Sequence, residues 1–126
     1  MITLHYETDK LNDIKTAKSI AEKVNQFFGD SNLIDTVQRS FHDDSLKGAG
    51  LTTKVYNYNG ASAIVRDYAF TAWDVPRGTE TAVPLQIGIV SCKVAGNDSS
   101  VLNYIQDNLE KVYGLKKDNY NYNLPQ

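Results

Sequence analysis

The sequence predicts a small α+β domain. An antiparallel β-meander at about 51–94 packs against helices at about 10–28 and 99–113, and an N-terminal strand at 2–7 joins the sheet. Three observations lead there. An apolar stripe at helical spacing runs from Leu11 to Phe28, β-branched and aromatic residues concentrate between Leu51 and Val94, and Asn59-Gly60 separates two such runs. The chain has 126 residues, the size of one ordinary domain. Its hydrophobic fraction of 41% and charged fraction of 22% lie near globular averages, enough for a core.

Ile2, Leu4 and Tyr6 alternate with Thr3, His5 and Glu7, the period of a half-buried strand. Thr8 or Asp9 is placed to cap the helix that follows, in which Leu11, Ile14, Ala17, Ala21, Val24 and Phe28 share one face. Gly29 stands where a left-handed residue ends a helix without a Cβ penalty. Leu33, Ile34, Val37 and Phe41 then fit a short helix behind a Ser31 or Asn32 cap. As a strand they read poorly, because Leu33, Val37 and Phe41 would share a face with Asp35 and Arg39. LKGAG is a connection. Both central positions of a type I′ turn need positive φ, which Asn59-Gly60 supplies, so LTTKVYNY and ASAIVRDYAFTAW become the arms of a hairpin. VPRGTETA is a loop and PLQIGIVSCKV a third strand. Asn97 to Ser99 offer caps for a last helix bearing Val101, Leu102, Ile105, Leu109 and Val112, closed by Gly114. Residues 1–115 read as the domain and 116–126 as a polar Tyr/Asn-rich tail.

Composition narrows the function classes. A formal net charge of -2 gives no long-range attraction for nucleic acid. One cysteine, Cys92, excludes an internal disulfide framework and a cysteine-based zinc site. The opening MITLHYETDK lacks the basic start and apolar run of a secretory signal, and no apolar stretch nears the roughly 18 residues of a membrane span. These features lead to the expectation of a cytoplasmic protein without cofactor or membrane association.

Among candidate chemical groups, His42-Asp43-Asp44 unites an imidazole with carboxylates, but neighbours in sequence do not aim at one ion. Cys92 needs a histidine within reach to act as a nucleophile, and His5 on another strand is the candidate. No phosphate loop, G-x-S-x-G or H-E-x-x-H occurs. The aromatic residues carry the stronger signal. "YNYN" occurs at Tyr56–Asn59 and again at Tyr120–Asn123, with no other similarity between the flanks, so the chain holds no duplicated unit. Tyr56 and Tyr58 share a face on a strand, as Tyr120 and Tyr122 would. Tyrosine and asparagine together combine rigid contact area with adaptable hydrogen bonds, a composition favoured at recognition surfaces. Trp73 and Arg77 flank the Pro76–Gly78 loop, and both residue types are enriched among interface hot spots.

The expectation is therefore a non-enzymatic protein–protein interaction module binding through Tyr56, Tyr58, Trp73, Arg77, Tyr120 and Tyr122, to a protein partner or to itself. That class includes inhibitors, adaptors and assembly subunits, some of them carried by phages and other mobile elements. The alternative is a small enzyme or small-ligand binder using His5, His42, Asp43 and Cys92. A third reading, single-stranded nucleic-acid binding on a tyrosine face, lacks an electrostatic track, since Lys54 and Arg66 are the only basic residues of the hairpin.

Overall fold

The computed structural model describes residues 1–40 and 49–118. The order of elements is β1 (Ile2–Glu7), α1 (Ile14–Phe28), β2 (Leu33–Ser40), β3 (Gly50–Tyr58), β4 (Ala61–Asp74), β5 (Val83–Gly96), α2 (Ser99–Asp107) and β6 (Lys116–Lys117). The strands form one antiparallel sheet in the order β2-β3-β4-β5-β1-β6, with both helices on one face. This is the expected α+β architecture, with β3 to β5 as the meander and β1 joined to its far side.

The meander follows from its turn. Tyr58 pairs with Ala61, leaving Asn59 at φ 50 and Gly60 at φ 88, both in the left-handed region that the two-residue hairpin requires. Helix α1 begins later than the stripe alone suggested. Asp13, not Thr8 or Asp9, is the cap and accepts from the Lys15 N–H, while Leu11 forms a bridge to Gly88. The helix buries Ala17, Ala21, Val24 and Phe28 and ends at Gly29, as the sequence suggests. Its first turns lie close on the sheet, because Gly88 has no side chain. A Cβ there would sit 2.5 Å from that of Ala17. After Asp107 the second helix widens into a π-helical turn, Asn108–Val112, closed by the Tyr113 N–H donating to the Asn108 carbonyl.

Two expectations about secondary structure are corrected. Residues 33–40 form a strand, not a helix, paired with β3 from Leu33–Tyr56 to Ser40–Gly50. A bulge between Leu33 and Asp35 removes the face conflict: Leu33 packs against the core, while Asp35, Val37 and Arg39 turn to the other face. As an edge strand, β2 needs no apolar alternation, and its pairing partner supplies what local propensity does not. Second, the tail does not begin at 116. Lys116 and Lys117 pair with Glu7 and Tyr6, and the Asp118 N–H donates to the His5 carbonyl at 2.8 Å.

The core lies between the helices and the sheet. Tyr6, Tyr56, Val65, Val90, Cys92 and Val94 meet Val24, Phe28, Ile105 and Leu109. The opposite face carries Val55, Ile64, Tyr68, Phe70, Ile87 and Ile89, all half-buried, and among the described residues no helix covers it.

Candidate functional site

Three places in the fold bring functional groups together: the β4–β5 arm, a polar cleft and a small cluster at the sheet edge. The arm is the stretch where, among the described residues, β4 and β5 outlast their neighbours. Among the described residues β3 pairs with β4 as far as Gly50–Ala69 and the last link to the N-terminal segment is at Gly88, while β4 and β5 continue from Phe70–Ile87 to Asp74–Val83. At about 3.3 Å per residue the five paired positions of this stretch span roughly 15 Å. Trp73 is 65% exposed on it, and Val75, Val83 and Leu85 are exposed as well. Arg77 lies in the tip loop, where Gly78 takes φ 83 and Thr79 donates to the Pro76 carbonyl. Of the residues marked by the sequence, Trp73 and Arg77 thus share one exposed element.

The first tyrosine pair lies elsewhere. Tyr56 is fully buried, its ring stacked on Phe28 at 5.4 Å and its hydroxyl donating to Asn25 Oδ1 at 2.7 Å. Burial pushes its hydroxyl up to about 12, with the nearby Asp30 charge adding to the effect. Tyr58 is half-buried and stacks on Phe27, which also touches Tyr104 and Tyr113. Burial raises the Tyr58 hydroxyl as well. These rings join α1 and β3 and reach α2, so Tyr56 is used in the core while Tyr58 keeps part of its ring at the surface. The general abundance of tyrosine concealed this, because core use depends on partners such as Asn25 that only the fold supplies. Tyr120 and Tyr122 lie outside the described residues.

The cysteine–histidine pairing fails on geometry. Cys92 pairs with Tyr6 on the helix-covered face, whereas His5 pairs with Lys93 on the opposite one. Burial pushes the Cys92 thiol up to about 12, away from nucleophilic use at neutral pH. His42 and Asp43 lie outside the described residues.

The cleft was not anticipated. It lies between α1 and the helix-facing sides of β3 and β4, holds about 380 Å³, and is lined by Lys18, Asn25, Asp30, Thr52, Lys54 and Asp67, among others. It exists because the sheet is wider than the helical layer, so Thr52 and Lys54 face solvent where a covered strand would place apolar side chains. Asp67 lies at its side with a largely buried carboxylate. Oδ1 has no hydrogen-bond partner, and Oδ2 is 3.7 Å from Lys18 Nζ. Burial raises this carboxyl above the ordinary range, partly offset by the Lys18 charge.

At the sheet edge His5 and Glu7 share the helix-free face of β1, and Asp118 comes alongside from the end of β6, its Oδ2 3.1 Å from His5 Nδ1. Nothing in the spacing of these residues signals this meeting, because it depends on the pairing of β1 with β6. No family model, no curated protein and no solved structure matches the chain. Among the described residues no helix is long and apolar enough to cross a membrane.

Proposed function

We propose that the chain is a non-enzymatic protein-interaction module that assembles with a second copy of itself, the β4–β5 arm of each copy lying on the helix-free sheet face of the other. The carrying observation is the arm. It carries Trp73, Val83 and Leu85 exposed to water, apolar surface that a second copy can cover. The proposed receiving face is self-complementary in charge as well as apolar. Asp35 and Glu7 stand on it with Arg39, Arg66 and Lys93, so two copies related by a two-fold axis can match opposite signs. A net charge of -2 adds little repulsion.

Light scattering on the full chain tests this. The expected result is a dimer or larger assembly that becomes monomeric when Trp73→Asp and Leu85→Asp are combined, with unchanged far-UV circular dichroism. A monomer in the wild-type chain up to high micromolar concentration would overturn self-association. An assembly insensitive to both substitutions would remove the arm from it.

A second reading, binding of a small polar ligand, rests on the Asp67 cleft and not on His5 or Cys92. It predicts that a fragment screen by amide NMR shifts Asn25, Thr52 and Asp67 as one group. Scattered shifts would dismiss it.

A further inference from the structure

We infer that His5, Glu7 and Asp118 form a binding site for a divalent transition-metal ion such as Zn²⁺ or Co²⁺. One ligand atom from each of the three lies within 4.8 Å of the others, a spread that small side-chain rotations bring onto a single ion at about 2.0–2.2 Å from each donor. The donor set is an imidazole with two carboxylates, which suits borderline metals and leaves coordination positions for water. Its backbone is settled before any ion arrives. His5 and Glu7 are two apart on one strand, so they point to the same face, and the Asp118 N–H bond to the His5 carbonyl sets the third donor opposite the first.

Local charges favour a cation there. Two carboxylates held this close repel each other, and a divalent ion between them cancels both charges. Glu7 forms no ion pair among the described residues. Lys116 stands opposite Glu7 in the strand pairing, but its amine is on Asp9 at 2.7 Å. Lys93, beside His5 on β5, is exposed, and it is a positive neighbour a metal would have to tolerate. On binding, the imidazole ligates in its neutral form through Nδ1 and keeps its proton on Nε2, so the present Nδ1 contact with Asp118 gives way to a shared metal. The ion would then lock β6, a strand of only two residues, onto β1.

The test is titration of the metal-free full-length chain with Co²⁺, followed by visible d–d absorption, and with Zn²⁺ in competition with a chromophoric chelator. One ion per chain is expected. His5→Gln should weaken binding at least tenfold, as should Asp118→Asn, whereas His42→Gln, which changes the only other histidine, should leave it intact. Saturating Zn²⁺ should raise the thermal midpoint of the wild type and not that of His5→Gln. No saturable binding to the wild type below millimolar metal would overturn the site. Binding kept by His5→Gln and lost in His42→Gln would overturn it equally, placing the metal elsewhere. Should His5→Gln fail to fold, the wild-type titration and Asp118→Asn decide the matter.

Discussion

At the scale of single residues, the tyrosines show why a chemical type does not announce its role. Tyr56 combines a fully buried ring with one hydrogen bond to Asn25, so its hydroxyl serves stability. Tyr56→Phe should lower stability by about 1 kcal/mol, the usual net worth of such a bond, and leave assembly untouched. Urea unfolding beside light scattering checks both halves. Asp67 gives a prediction of opposite sign. Its folded carboxyl lies above the ordinary range because burial disfavours the charge. The folded state therefore holds that proton more tightly than the unfolded state, so this group favours folding at low pH. The advantage is lost as pH rises from the ordinary carboxylate value through the raised one. Asp67→Asn should then stabilise the protein at pH 7 by about 1 kcal/mol, with little gain near pH 3. Equal effects at both pH values would mean that the carboxylate is well solvated. Tyr6, which donates to Glu110 at 3.0 Å, belongs to the same class of buried hydroxyl, raised by burial first and by the glutamate next.

At the scale of elements, what could be read in advance was what depends on neighbours in sequence. Asn59-Gly60 forces a hairpin wherever it falls, and the α1 stripe buries the residues its spacing selects. Strand β2 was hidden because its pairing lies in β3 and its face conflict is relieved by a bulge, which no periodicity displays. Strand β6 was hidden because two lysines with no apolar residue between them carry no strand signal. The functional candidates divide in the same way: Trp73 and Arg77 stood out by type and loop context, while Glu7, Asp67 and Asp118 became visible only through register. The seating of α1 on β5 also gives a direct test. Gly88→Ala places a methyl group against Ala17, and the overlap should cost about 1–3 kcal/mol, read as a lower denaturation midpoint. The arm predicts a cleavage pattern. Trypsin under native conditions should cut first after Arg77, in the exposed tip, and slowly in α1 despite its lysines. Protection of Arg77 that rises with protein concentration would tie the arm to assembly.

Across the whole molecule, the sheet order puts β1 between the third strand of the meander and β6, the last strand among the described residues. Amide exchange should accordingly be slowest in the middle of β4 and β5, which have partners on both sides. It should be fastest in the arm and in β6. Uniform protection along β4 out to Asp74 would mean that the arm is covered in solution. The placement of β1 also bears on how the protein is made. Residues 2–7 leave the ribosome well before residues 91–96, with which they pair. At about 5–20 residues per second, the nascent β1 waits roughly 4–20 s for its partner. Throughout that time ITLHYE is an alternating, unpaired strand open to any free edge, including that of another nascent copy. Whatever shields those six residues during those seconds protects the yield of folded protein.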